Sequence, residues 1–368
     1  MGPTDREQQI LSWIRQNPMI SQNELAELCG ITRSGVAAHI SNLMKKGLLQ
    51  GKGYIVTPPQ YVVEVGGVNM DVFGRADKPM VGGSSNVGRI TYSLGGIARN
   101  VAFNLGKLGV RNYLITVYGD DHNGERVKQD ALDNGIDITY AKQLAHTNTS
   151  TYLSLSGPDG NQTVGLDDMS ISDFITEDFL SARAHVIDHA RFVVIDSSLS
   201  QQAISWMYAH CDGPIFARVV SVDKAQRLLP GIERLDTIVL SAPETEVLSG
   251  VAARDEVSAD ACASRLLERG VGNVFVLVDG VGMLYRNADE RCFFEMRDMP
   301  VKYMNGAASA ALSALVWARG ENRGFVESAE LANAAAYISM ERVESVNPAL
   351  NVDAVERRRK ALFGPLCL

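Results

Sequence analysis

The chain has 368 residues, 46% hydrophobic, 7% aromatic and 21% charged, which excludes a mostly disordered or collagen-like chain and is long enough for two domains, one with a large core. With 35 Lys and Arg against 43 Asp and Glu the formal charge is −8, which weighs against attraction of the whole molecule to nucleic acid phosphates if that charge is evenly spread. The five cysteines (Cys29, Cys211, Cys262, Cys292, Cys367) are scattered, without a C-x-x-C pair or zinc-ligand spacing, and no apolar run reaches the length of about 18 residues that marks a membrane span. A soluble cytoplasmic protein with reduced thiols, no metal site and no membrane contact is expected.

Residues 1–57 form the first unit. Ile10, Leu11 and Ile14 recur at helical spacing, Asn17-Pro18 stops that helix, and Ser21 with Glu24 forms a capping box for a second helix at about 22–29. Gly30 turns the chain. Thr32 caps a third helix with the apolar face Val36, Ile40, Leu43 and Met44, ending at Lys45-Lys46-Gly47. The stretch from Leu48 to Val56 reads as two short strands about a Gly51-Lys52-Gly53 tip. This segment resembles the winged helix-turn-helix DNA-binding domains of bacterial regulators.

Charge resolves along the same line. Residues 1–57 hold six cations (Arg6, Arg15, Arg33, Lys45, Lys46, Lys52) against four anions, a net +2, leaving −10 on the remainder. Arg33, Ser34, His39 and Asn42 lie on the polar side of the third helix, where they would reach base edges in a major groove, with Lys45, Lys46 and Lys52 on phosphates. The same polar face would serve a protein-interaction module, but the cationic wing tip favours a double-stranded DNA operator. Winged domains of this sort pair on two half-sites, which implies a homodimer.

Residues 58–60, Pro-Pro-Gln, make a short stiff junction. From 61 to 368 strand and helix patterns alternate: strands at 62–65, 114–117, 192–195, 214–217, 237–240 and 274–278, and helices at 97–108, 123–134, 200–210, 223–229, 259–269, 306–319 and 327–343. Such alternation predicts an α/β domain with a parallel sheet between two helical layers. Segments 150–156 and 162–166, joined by Gly157-Pro158-Asp159-Gly160, read as a hairpin belonging to a small β lid near 72–92 and 150–166.

Gly66-Gly67-Val68-Asn69-Met70-Asp71 after the first strand, Gly95-Gly96-Ile97-Ala98-Arg99-Asn100 at a helix start and Gly119-Asp120-Asp121-His122-Asn123-Gly124 together resemble the ribokinase (PfkB) carbohydrate kinase family over about residues 61–363. Thr151-Tyr152, Asp168-Met169 and Val346-Asn347-Pro348 are most similar to its pseudouridine kinase branch, some members of which carry a winged N-terminal segment. The resemblance implies a ribokinase-like three-layer α/β/α fold. It also implies a sugar or nucleoside pocket built from Asn69, Asp71, Gly95, Gly96, Asn100, Tyr152 and Asp168. Independently of family, Asn69, Asp71 and Asn100 supply the mixed donors and acceptors that adjacent hydroxyls need, and Gly95 and Gly96 would allow close approach of a ligand.

The catalytic end departs from the family pattern. A G-A-G-D sequence, by resemblance, supplies an anion hole and a general base; here it reads Gly306-Ala307-Ala308-Ser309. A serine is no base at neutral pH without an activating partner, and Ala308 would obstruct the N–H nest if its position needs φ > 0. The Asn-x-x-Glu motif on the metal and phosphate side keeps only Glu244. The Thr-Leu-Gly-x-x-Gly loop keeps only Gly282 and introduces Asp279, and an Asp-Pro pair reads Arg218-Val219. Ser198 stands where an Asn is expected. The favoured reading is a transcriptional regulator in which an impaired kinase domain senses a sugar or nucleoside. The alternative is an active kinase using ATP and Mg²⁺ with an appended DNA-binding domain, Glu244, Asp168 or a shifted acid serving as base; no cofactor is certain.

Overall fold

The computed structural model describes residues 3–49, 61–159, 162–297, 304 and 306–364; the expected wing with Lys52 and the junction at 58–60 lie outside them. The chain divides into two compact units, Met1–Pro59 and Gln60–Leu368.

The smaller unit holds α1 (Asp5–Gln16), α2 (Gln22–Cys29) and α3 (Arg33–Lys45). Thr4 with Glu7, and Ser21 with Glu24, form reciprocal capping boxes that satisfy amides which the first helical turn leaves without partners. Gly30, at φ 62°, ends α2 in the left-handed conformation, and Thr32 Oγ1 accepts from the Gly35 N–H at 3.1 Å to open α3. Ile10, Ile14, Leu25, Val36 and Leu43 share one core. Met44 was expected on that apolar face but is 45% exposed. It follows Leu43 by one residue, a turn of about 100° that carries it off the buried stripe.

In the larger unit β1 (Val62–Val65) leads into β2 (Asn69–Ala76), β3 (Gly88–Gly95), α4 (Ile97–Lys107), β4 (Asn112–Ile115), β5 (Val117–Gly119), α5 (His122–Asn134) and β6 (Lys142–Leu144). Next come β7 (Thr151–Ser156), β8 (Gln162–Asp168), α6 (Glu177–Ser181), α7 (Ala184–Ile187), β9 (Phe192–Asp196), α8 (Gln201–His210), β10 (Ile215–Arg218), α9 (Val222–Ala225) and β11 (Leu235–Ser241). The unit ends with α10 (Ala242–Ser249), α11 (Glu256–Glu268), β12 (Asn273–Val278), β13 (Gly282–Arg286), β14 (Arg291–Glu295), α12 (Ala307–Gly320), α13 (Phe325–Met340) and α14 (Val352–Phe363).

Eight strands form the main sheet in the order β14-β13-β12-β11-β10-β9-β1-β4. The six from β4 to β12 run parallel, and β13 and β14 add an antiparallel edge. Buried on both faces, these strands read as near-continuous apolar runs such as Phe192-Val193-Val194-Ile195. Val63, Val65, Val193 and Ile195 pack into one core with α8 and α11. Val62, Phe192 and Val194 pack into the other with α4, α12 and α13. Nearly every residue of α12 and α13 is buried, many of them alanines, so these two helices lie close against one another; the small-residue stripe of α13 faces α12 more than the sheet.

The Gly-rich stretch before α4 contains strands β2 and β3, which join the hairpin β7-β8 in a four-stranded lid of order β3-β2-β7-β8. Side chains alternate between its faces. The cross-strand row Ser93, Asp71, Tyr152, Asp167 lies on one face, and the row Tyr92, Val72, Leu153, Leu166 on the other.

Candidate functional site

A cavity of about 540 Å³ lies beneath the lid at the carboxyl ends of the parallel strands, where open α/β sheets offer loop amides and helix starts to ligands. Gly67, Asp196, Arg218, Ser241 and Leu277 reach it from the ends of β1, β9, β10, β11 and β12.

At the lid end, Asn69, Asp71, Phe73 and Tyr152 line the cavity together with Gly96 and Asn100 at the start of α4. Asn69 Nδ2 donates to Asp71 Oδ1 at 2.5 Å, and Ser345 Oγ to Asp71 Oδ2 at 3.4 Å. Burial pushes the Asp71 carboxyl up to about 6 against the pull of those two hydrogen bonds. Gly95 does not line the cavity: a Cβ there would run into the Asp71 carboxylate, so this glycine makes room for an acid rather than for a ligand. Gly96, at φ 92°, packs against the Gly67 carbonyl.

Asp168 also lies outside. Its carboxylate turns to the Ser170 hydroxyl at 2.8 Å, because alternation along β8 gives the cavity face to Asp167. Asp167 pairs with Lys224 Nζ of α9 at 2.6 Å, tying lid to body at the cavity mouth.

Asp196 was not singled out from sequence, although an acid closing the run Phe-Val-Val-Ile at a strand's carboxyl end is the available signal. Its carboxylate accepts from the amides of Gly67 (3.1 Å), Ala98 (3.2 Å) and Ser198 (2.8 Å), and from the Ser198 hydroxyl. It thereby caps α4, whose own N-cap residue Gly96 has no side chain to do so. Burial still raises its pKa. Ser198, standing where an Asn was expected, thus serves Asp196. The Gly119–Gly124 motif is structural too: Asp121 caps α5 and accepts from the amide and hydroxyl of Thr149, at 3.0 and 2.6 Å, beside β7.

Beside Ser345, which also bonds Asp71, Gly306, at φ 81°, caps α12, and a Cβ there would meet the Ser345 carbonyl. Gly306, Ala308 and Ser309 line the cavity while Ala307 is buried behind them. The expected obstruction by Ala308 does not arise, since Ala308 lies within the helix and only His146 and Asn322 are non-glycine residues with positive φ among the described residues. The left-handed position is Gly306, which is present. Ser309, in the first turn of α12, lines the cavity with a hydroxyl. Of the remaining acids, Glu244 Oε2 accepts from its own N-cap amide, Ser241, at 2.5 Å and lies 3.6 Å from Arg218 Nη1. Asp279 is exposed at the rim. Gly282 does not reach the cavity; it lets β13 pack against Phe293 and Phe294 of β14.

The family model for pfkB carbohydrate kinases matches residues 59–351. The chain belongs to the PfkB family. A winged helix-turn-helix DNA-binding model matches residues 4–50, so a DNA-binding head precedes the PfkB domain. The chain is similar to the uncharacterized sugar kinase YeiI of Escherichia coli, with 33% identity over 95% of this chain and 97% of that one. It is also similar to the pseudouridine kinase of Escherichia coli, with 27% identity over 79% of this chain and 94% of the relative. Among solved structures, the PfkB domain superposes on the ribokinase of Arabidopsis thaliana, complexed with ribose and ATP, at TM-score 0.72 and 18% identity, covering 82% of this chain and 99% of that one.

PfkB kinases use ATP and a divalent metal. Among the described residues no group of three or more His, Cys, Asp or Glu could hold a metal, and Glu244 is engaged by Arg218 and by the start of α10. No helix among the described residues is long and apolar enough to cross a membrane.

On the head, Arg33, Ser34, Asn42 and Lys45 of α3 are exposed and His39 is half-buried. Lys46 differs from them: its Nζ lies 2.6 Å from Glu7 Oε2, and the ammonium holds the Glu7 carboxyl at about 2. Much of its charge is therefore directed inward, joining α3 to α1.

Proposed function

We propose that this protein is a DNA-binding regulator whose PfkB domain senses a sugar or nucleoside of pseudouridine type and has lost efficient phosphoryl transfer. The observation that carries the reading is Ser309 at the first turn of α12, inside the cavity, where the resemblance to the family puts the general base. The acids offered in its place are engaged elsewhere: Glu244 is tied to Arg218 and Ser241 and Asp168 faces away, while Asp196 holds four donors. Loss of a general base alone lowers turnover by about 10²–10⁴. The lid end, by contrast, keeps the amide and carboxylate set that polyols need.

The lid also supports pairing of two copies. Its outer face carries the apolar rows Tyr92, Val72, Leu153, Leu166 and Ile90, Gly74, Leu155, Val164, with Ile90 63% and Leu166 64% exposed. A contiguous apolar face of this kind calls for a partner surface, and a second copy would bring a second DNA-binding head. Ligand closing the lid would then shift the spacing of paired heads. Leu166→Glu should convert a dimer to a monomer in analytical ultracentrifugation; an unchanged mass would remove the lid from the account.

A second reading, an active nucleoside kinase with an appended head, is favoured by the names of the relatives. Incubation with ATP, Mg²⁺ and nucleosides including pseudouridine separates the two. The regulator reading expects a ligand-dependent melting shift without phosphorylated product, and turnover near about 1 s⁻¹, the low end of ordinary enzymes, would overturn it.

A further inference from the structure

The cavity's lid side and its sheet side differ in chemistry. Acceptors stand on the lid, where Asp71 and Asp167 line it; Asp196, in register beside Arg218 on the main sheet, has its carboxylate taken by four donors. Free donors gather at the strand ends and the start of α12. Arg218 is 92% buried, being 8% exposed, and its guanidinium donates to the Val219 carbonyl and, at 2.8 Å, to Ser241 Oγ. Its Nε has no acceptor among the described residues, and the 3.6 Å approach to Glu244 is too long for a hydrogen bond. At the start of α12, the Ala307 and Ala310 amides are taken by the Met304 and Gly306 carbonyls, while that of Ala308 faces no acceptor among the described residues. The Ser309 hydroxyl adds a donor where a carboxylate would repel an anion.

We propose that the sensed ligand carries its own phosphate: a sugar or nucleoside phosphomonoester, its polyol under the lid and its phosphate between the start of α12 and Arg218. This rests on the sensor reading above. A dianion accepts from several donors at once and is drawn by the dipole of a 14-residue helix and by a guanidinium whose planar fork suits phosphate. An unphosphorylated hydroxyl would leave most of those donors without a partner. Glu244 positions Arg218 and neutralises part of its charge while the cavity is empty. Asp279, exposed at the rim, is screened by solvent and salt. The serine that removes the base thus also makes this corner receptive to an ester phosphate.

The test is calorimetric titration of the full-length protein, without ATP or Mg²⁺, with pseudouridine, pseudouridine 5′-phosphate, ribose, ribose 5-phosphate and inorganic phosphate. The phosphomonoester is expected to bind at least about tenfold tighter than its parent, and tighter than inorganic phosphate. Arg218→Gln should weaken the ester at least about tenfold more than the parent compound. Ser309→Asp, which leaves Arg218 in place, should erase the preference through repulsion. Equal affinity for ester and parent, a preference that survives both variants, or inorganic phosphate binding as well as the ester would each overturn the proposal. If ester and parent bind alike and ATP gives no turnover, this proposal falls alone; turnover with ATP takes the sensor reading with it.

Discussion

Replacing Asp71 by Asn tests whether the cavity is built for a ligand at the expense of the empty fold. The carboxyl has a pKa raised from 3.8 to about 6 by burial, so the folded state prefers it protonated, and its ionised form at pH 7 lowers stability by about 3 kcal/mol, at 1.36 kcal/mol per pK unit. A raised acid contributes most favourably below its unfolded pKa and loses that contribution as pH climbs through the folded value. Asn keeps the size and can still accept from Asn69 and bond Ser345. Asp71→Asn is therefore expected to stabilise the empty protein by an amount that is small at about pH 4, grows to about pH 6 and levels off near 3 kcal/mol above it, while ligand affinity falls. Urea denaturation of both proteins across pH 4–8, paired with titration calorimetry, reads both effects. A variant less stable than the parent at pH 7, or a difference that does not change with pH, would refute the reasoning.

Glu64, on β1 between β9 and β4, is fully buried with neither carboxylate oxygen bonded among the described residues, and burial raises its pKa well above the usual carboxylate value. The parent should lose stability as pH rises above about 4.5 towards that raised value; Glu64→Gln should flatten this slope in pH-dependent melting, and an unchanged slope would contradict it. On the head, Lys45→Gln should lower the salt dependence of DNA binding by about one counterion without changing the melting temperature. Lys46→Gln should instead melt the head earlier by leaving Glu7 buried without its partner; the reverse pattern, read by calorimetry and by binding against salt, would invert the assignment of the two lysines.

Much of the fold was legible because it rests on local signals: the capping box of Ser21 with Glu24, a left-handed Gly30, and apolar runs of strand length separated by helical periods. The lid strands β2 and β3 were hidden inside a Gly-rich stretch, where Gly74 and Gly88 pack against neighbouring strands instead of marking loops. The antiparallel edge β13-β14 was missed since a hairpin of buried and half-buried residues carries little alternation. Within the site, residue type and motif order placed Asn69, Asp71, Asn100 and Ser309 along one cavity. The finer assignments required geometry. A one-residue step on β8 decides between Asp167 and Asp168, and the backbone angle at Ala308 decides whether a methyl group obstructs the helix start. The ion pair of Lys46 with Glu7 joins residues 39 positions apart and could not be read from the helix pattern. The pairing of Arg218 with Glu244 joins residues 26 positions apart, and no sequence pattern announces it.

The central claim is that occupancy of the PfkB cavity is read out at the DNA-binding head without phosphoryl transfer. The most direct measurement is the affinity of the full-length protein for the duplex it selects from a random-sequence pool, with and without saturating ligand, in the absence of ATP. A shift of about tenfold or more, equivalent to about 1.4 kcal/mol of coupling, that persists in Ser309→Ala is the predicted result. DNA affinity indifferent to ligand, or sensitive only when ATP and Mg²⁺ are supplied, would contradict it.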